Sequence, residues 1–476
     1  MKNVGTIKKN LPVLLLLIFV LNHLVFSPGC ANRIPPSGGP RDTLPPTLLF
    51  VTPQDSTRNF DETRIVFEFD EYIEVQDIVN NLIVSPTPQV NPFINHKLKT
   101  VTVRLRDTLE ENTTYSLNFG KAIVDYNEKN PLRDFTYVFS TGPAIDSLEL
   151  KGNVILAQNG GIDTTLIVML HRNLDDSAVY KERPRYYTRL DSAGRFNFRY
   201  LPGEVFNVYA LKDQGGQRRY TSPTQLFAFL SEPVNVADND QSITLYAYAE
   251  PETAAPLGGG VRINNRNEQD KRLKFTTNVG TAPLDLFSNV ELNFELPLES
   301  LDTTAINLFT DSTFTPFTNF KTILDTSRKK ISLVANWQPA TSYHLILQED
   351  FATDTSGFKL LRTDTLSFTS RQLSDYGSLS IRLRNLETYT NPVLQFVLND
   401  QVVSSYPITS ENFTRPLFLP GDYKVRILND ENGNGIWDQG QFFGVRRQPE
   451  IVRPLTRNIN VKADWENEFE IELPVN

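Results

Sequence analysis

The residues best placed to do chemistry are Asp430, Asn432, Asn434 and Asp438, in the run Asp430-Glu431-Asn432-Gly433-Asn434-Gly435-Ile436-Trp437-Asp438. Oxygen-bearing side chains at its first, third, fifth and ninth positions, with glycine at the sixth, have a spacing that wraps ligands around calcium. That hard cation takes six or more oxygens. The twelfth position, where a bidentate glutamate belongs, is Gln441. A hairpin turn is the other reading, with Asn and Gly supplying positive φ. Trp437 and Phe442-Phe443 read as packing residues or as an exposed contact. His96, His171 and His344 are scattered and lack metal-ligand spacing. Asp70-Glu71 reads as a strand end entering a loop. Neither a Gly-x-Ser-x-Gly elbow nor a phosphate-binding loop occurs in the sequence. Catalysis is not expected.

The chain has a single cysteine, Cys30, so it cannot form an internal disulfide. Lys2, Lys8 and Lys9 precede an apolar run from Leu11 to Val20, followed by Phe26-Ser27-Pro28-Gly29-Cys30. This is the layout of an export signal. The run is short of the roughly 20 apolar residues that span a bilayer. With Gly29 just before Cys30, the segment resembles a bacterial lipoprotein signal, although Ser27 and Pro28 depart from that pattern. The resemblance implies a signal peptide over residues 1–29, cleavage before Cys30, and diacylglycerol and acyl lipid carried on the thiol. Several acyl chains make a durable anchor, at roughly 0.8 kcal/mol per buried methylene. An ordinary signal with a leftover thiol is the alternative. Residues 30–46 are rich in Pro and Gly and read as a tether. Pro36, Gly38, Gly39, Pro40, Asp42, Pro45 and Pro46 match the start of a Bacteroidota lipoprotein family, which this segment resembles. In that phylum acidic residues often follow the lipidated cysteine of surface-exported proteins. Here Ala31, Asn32 and Arg33 follow it, so the resemblance leaves open the cell surface or the periplasmic face of the outer membrane.

The remainder is long enough for three or four domains. The net charge of the whole chain, −9, argues against nucleic acid as a partner. The expected fold is all-β, a series of tandem β-sandwiches. Arg64 to Asp70, Thr100 to Leu105, Thr114 to Phe119 and Phe135 to Ser140 alternate apolar with polar residues, as half-buried strands do. Residues 47–142 resemble a bacterial Ig-like domain, through Phe67-x-Phe69-Asp70-Glu71, Asn112-Thr113-Thr114-Tyr115 and Phe139-Ser140-Thr141-Gly142. Residues 146–250 follow another pattern: the apolar run Leu166 to Leu170, then Gly194-Arg195-Phe196, Leu201-Pro202-Gly203 and Phe206 to Leu211. They resemble a carboxypeptidase-regulatory, transthyretin-like sandwich.

The plan then repeats at low identity. Val290 to Phe294, Thr341 to Leu345 and Leu366 to Ser370 echo the first module over residues 268–371. Leu419-Pro420-Gly421 and the strand after it echo the second over residues 376–476. A long self-similar period indicates a duplicated two-domain unit. Residues 251–267, with Gly258-Gly259-Gly260, read as a linker, so a fragment from Arg266 is expected to fold alone. The resemblance implies a non-enzymatic outer-membrane lipoprotein that serves as a scaffold or interaction subunit. Its partner would be an outer-membrane β-barrel, such as the β-barrel insertion machinery, or another envelope protein. A cell-surface glycan-binding or adhesive lipoprotein is the alternative, and its signature would be exposed aromatic platforms on one sandwich face.

Overall fold

The computed structural model describes residues 15–22, 41–238, 242–250, 272–311 and 313–474. Residues 15–22 are helical and exposed. No helix among the described residues is long and apolar enough to cross a membrane. Cys30 and the expected linker 251–267 lie outside the described residues.

The chain is almost entirely β, in tandem sandwiches. Alternation builds the first. In Arg64–Phe69 the side chains of Ile65, Phe67 and Phe69 are buried while Arg64, Glu68 and Asp70 face outward, as a period of two requires. The strands Leu48–Thr52, Arg64–Phe69, Thr100–Arg104 and Phe93–Lys97 form one sheet in that spatial order. Ile83–Ser85, Thr114–Asn118 and Thr136–Ser140 form the opposing layer. Phe67 joins the two, meeting Phe119 and Tyr137 edge-on at 5.6 and 5.3 Å. Tyr115 closes the end, since its hydroxyl accepts the Glu110 N–H at 2.8 Å. The third domain repeats this device: the Tyr343 hydroxyl accepts the Gln338 N–H at 2.8 Å.

The second and fourth domains also share a topology. In the second, Leu148–Leu156 lies between antiparallel Arg195–Leu201 and parallel Ile243–Ala247. In the fourth, Gly377–Arg384 lies between antiparallel Asn412–Phe418 and parallel Glu466–Glu472. The facing sheets match as well, with Leu166–His171 beside Val205–Lys212 and Pro392–Leu398 beside Gly421–Asn429. The second and fourth domains therefore agree in strand order and in strand direction.

Leu166–His171 is buried on both faces. One face belongs to the core of its own sandwich. The other carries Ile167 and Met169 into a second apolar cluster with Tyr209, Tyr220, Phe227, Phe229 and Tyr248. A strand buried on both faces needs a cover, and this cover comes from the fourth domain. Phe442, 1% exposed, enters the cluster with its ring 5.1 Å from those of Phe227 and Phe229. Arg446 lies over Phe229 and pairs with Asp176 at 3.2 Å. Gln448 Nε2 donates to the Phe229 carbonyl at 3.0 Å, and the Val452 N–H donates to the Ala157 carbonyl at 2.9 Å. The second half is nevertheless not isolated from the first. Its two domains have cores of their own, but Phe442 completes a cluster in the first half.

The neighbours in sequence are also joined. Arg185 pairs with Glu110, and the Thr87 N–H donates to the Arg185 carbonyl at 2.8 Å, which fixes the first domain to the second. The Tyr376 hydroxyl donates to Asp285 at 2.6 Å and accepts the Leu286 N–H at 2.8 Å, which fixes the third to the fourth.

Truncating a buried phenylalanine costs about 3–5 kcal/mol. Phe442→Ala should therefore lower the unfolding transition of the second domain in the full chain by about 3 kcal/mol. Phe443→Ala, at a more exposed ring, should cost under about 1 kcal/mol. Denaturant unfolding of the two variants side by side reads the difference.

Candidate functional site

The Asp430 loop leaves the strand Gly421–Asn429 and leads to Phe442. Gly433 and Gly435 have φ of 74° and 80°, a region in which a Cβ is strained. Asp430 is 1% exposed and organises the turn. One of its carboxylate oxygens accepts the Gly433 N–H at 2.7 Å and the Asn434 N–H at 3.3 Å; the other accepts the Gly435 N–H at 2.6 Å. Asn432 and Asn434 turn their amide nitrogens to Asp438, donating to one carboxylate oxygen at 2.5 and 2.7 Å. Their amide oxygens accept the N–H groups of Asn434 and Ile436. The four residues read from the sequence therefore converge, but the loop closes by its own hydrogen bonds.

Gln441, the twelfth residue, does not point back to the loop. It exchanges backbone hydrogen bonds with Arg447, making the hairpin that carries Phe442. A residue the spacing argument missed braces the loop instead. Glu450 is buried and accepts the N–H groups of Glu431 and Asp438, both at 2.9 Å. Burial raises its pKa above the usual carboxylate range, while those two N–H groups pull it down and the charges of Asp430 and Asp438 raise it further. The signal was present in Glu450's place just before the strand Ile451–Pro454, but it lies twelve residues beyond Asp438, out of reach of any spacing rule. Trp437 packs on Val393, Leu428 and Val452, and its Nε1–H donates to the Glu450 carbonyl at 2.7 Å. The loop's evident work is to hold the Phe442 hairpin against the fourth domain. A cation among Asp430, Asn432, Asn434 and Asp438 would require both amides to turn over. Among the described residues no group of three or more His, Cys, Asp and Glu could hold a metal ion.

The other chemistry-bearing residues do not assemble. His96 is exposed on the edge strand of the first domain. His344 hydrogen-bonds Ser367 at 2.8 Å in the third. His171 is buried in the second, where burial lowers its pKa to about 4. Asp70 ends a strand and its carboxylate accepts the Thr47 N–H at 2.8 Å, the loop-entry role read from the sequence.

The family profile described as "Bacterial Ig-like domain" matches residues 42–141, the first sandwich. No curated protein sequence matches the chain. Among solved structures, a fragment of native alpha-2-macroglobulin from Escherichia coli is 10% identical, at a TM-score of 0.20. The match covers 40% of this chain and 97% of that one. The Bacillus anthracis TIE protein is 11% identical over 93% of this chain and 76% of its own, at 0.16. BcpA, the major pilin subunit of Bacillus cereus, is 8% identical over 70% of this chain and 100% of its own, also at 0.16. Likenesses at these TM-scores carry no argument.

Two outcomes check the loop. Asp430→Ala should destabilise the fourth domain by about 2–4 kcal/mol, because three N–H groups lose a charged acceptor. The melting temperature of the intact chain should be the same in millimolar calcium and in chelator, because an ion that binds only the folded state would raise it. A calcium-dependent rise that Asp430→Ala abolishes would establish the ion.

Proposed function

We propose that this chain is a non-enzymatic, lipid-anchored lipoprotein of a bacterial outer membrane that acts as a scaffold or interaction subunit. The observation that carries this reading is the docking of the second and fourth domains through Phe442. Residues more than two hundred positions apart are packed into one cluster, so a chain of separate sandwiches is held as a connected body. Such a body keeps sandwich faces, edges and end loops in fixed relation, which suits docking of other proteins. The Ig-like match to residues 42–141 supports a surface or envelope setting.

Cys30 is the proposed anchor point, with the tether 30–46 leading into the first strand, Leu48–Thr52. The partner favoured here is an outer-membrane β-barrel assembly, such as the insertion machinery, on the strength of the resemblance in the tether. Purification from native membranes in mild detergent, with identification of the co-purifying chains, tests that partner. A barrel protein retained at constant stoichiometry supports it, and recovery of the chain alone argues against it.

The anchor is tested separately. Cys30→Ala should move the protein out of the outer-membrane fraction and leave its unfolding curve unchanged, because only the lipid is lost. Wild-type recovery of the variant in that fraction would contradict lipidation.

A further inference from the structure

The outer face of the first domain carries a groove of ≈ 690 Å³. Four cations line it, Arg64, Lys97, Lys99 and Arg104, and no carboxylate does. The chain as a whole has a net charge of −9. Strand register makes the patch. Arg64 lies directly opposite Arg104, and Lys97 lies opposite Thr100. Like charges facing each other across a sheet are destabilising. Arg64, Lys97 and Arg104 are exposed and have no ion-pair partner among the described residues. Glu68 is on the same side of the sheet, between Phe50 and the lining residue Thr100, and borders the groove without being part of its lining.

Two exposed rings, Tyr72 and Phe93, also line the groove, at 54% and 44% exposure. Lys99 lies over the Tyr72 ring at 5.8 Å, and Arg106 lies over the Phe93 ring at 5.0 Å. The lining between them is polar, with Asn95, Thr100 and Thr102. Aromatic rings with a polar floor and unpaired cations form a specific combination. Flat rings suit the C–H faces of sugars. Hydroxyl and amide groups suit sugar hydroxyls. A guanidinium fork suits carboxylate or phosphate oxygens bidentately.

We propose that this groove binds an anionic glycan, a saccharide chain bearing carboxylate or phosphate groups. A membrane surface fits less well, because lipid binding calls for a broad apolar face beside the cations, and here Leu98 is the one aliphatic side chain in a lining whose floor is polar. An acidic peptide would use the cations but has no use for the rings and hydroxyls together. The inference depends neither on the scaffold reading nor on the Cys30 anchor, because purified protein reads it directly.

Titration calorimetry on the full chain and on Cys30→Ser tests it with five probes. A polygalacturonate oligosaccharide carries its charge as carboxylate and a phosphorylated mannan as phosphate. Neutral maltoheptaose, polyglutamate and phosphatidylglycerol vesicles are the contrasts. At least one anionic saccharide should bind, and binding should weaken as salt rises, since exposed charges are screened. Arg104→Glu should weaken it at least tenfold with no loss of stability, since the new carboxylate faces Arg64 across the sheet, and Tyr72→Ala should weaken it several-fold with an unchanged unfolding curve. Equal affinity for polyglutamate with no effect of Tyr72→Ala would overturn the proposal in favour of a simple cation patch. Binding of the vesicles but of neither anionic saccharide would overturn it in favour of a lipid surface. Maltoheptaose binding as tightly as the charged sugars, or no saccharide binding at all, would also overturn it.

Discussion

Burial of the Phe442 ring against Phe227 and Phe229 is the interaction on which the rest of the architecture depends. The outer face of the Leu166–His171 sheet is mostly aromatic and aliphatic, with His171 and Asn207 buried at one end. Left open to water it would be an exposed apolar patch on a domain that otherwise has a complete core. The fourth domain covers it with one hairpin, and everything upstream serves that hairpin. Asp430 folds the loop, Glu450 holds both of its ends, and Trp437 seats it on its own sheet. The second half is thus bound to the first by apolar burial, and the Arg446–Asp176 pair and the Gln448 bonds at the rim set its orientation.

The seam is also less complete than the four sandwich cores. Tyr209, Tyr220 and Tyr248 have buried hydroxyls without a hydrogen-bond partner, and so does the Nε2 of His171. Each such group costs about 1–3 kcal/mol. Burial pushes the Tyr209 hydroxyl up to about 12 and the other two phenols further in the same direction, so none of them ionises near neutral pH. The aromatic contacts must offset these costs. A scaffold that opens under a partner's influence would open at this seam. His171 adds a pH dependence of definite sign. Its folded pKa is depressed below the ordinary 6.5, so the unfolded chain binds the proton more readily. Stability is full above about pH 6.5 and falls as the pH drops toward 4.

Much of this was legible in the sequence. Alternation in Arg64 to Asp70 and Thr100 to Leu105 marked strands of the first sandwich, because one face of each is wet and the other dry. The repeat survived low identity because the core-facing positions and the tyrosine at the domain end are constrained by packing, as Tyr115 and Tyr343 show. The Asp430 spacing named side chains that the loop's own hydrogen bonds tie together, but a pattern records positions and not the direction of each amide. The docking was hidden for a different reason. A Phe-Phe pair in a loop looks the same whether it packs at home or abroad. The hint lay elsewhere, in Leu166 to Leu170, which is apolar at every position and so demanded a cover from outside its own sandwich. The cationic groove was also beyond reach, since Arg64 and Arg104 meet only through strand register.

The central claim is that the two halves form one body through Phe442. Spin labels on cysteines placed at Asp191 in the second domain and Asp464 in the fourth, both exposed turn residues, would measure it by electron–electron dipolar spectroscopy in a Cys30→Ser chain. A single narrow distance distribution, which Phe442→Asp spreads over many distances, is the predicted result. A broad distribution in the chain with Phe442 intact, unchanged by Phe442→Asp, would contradict the account.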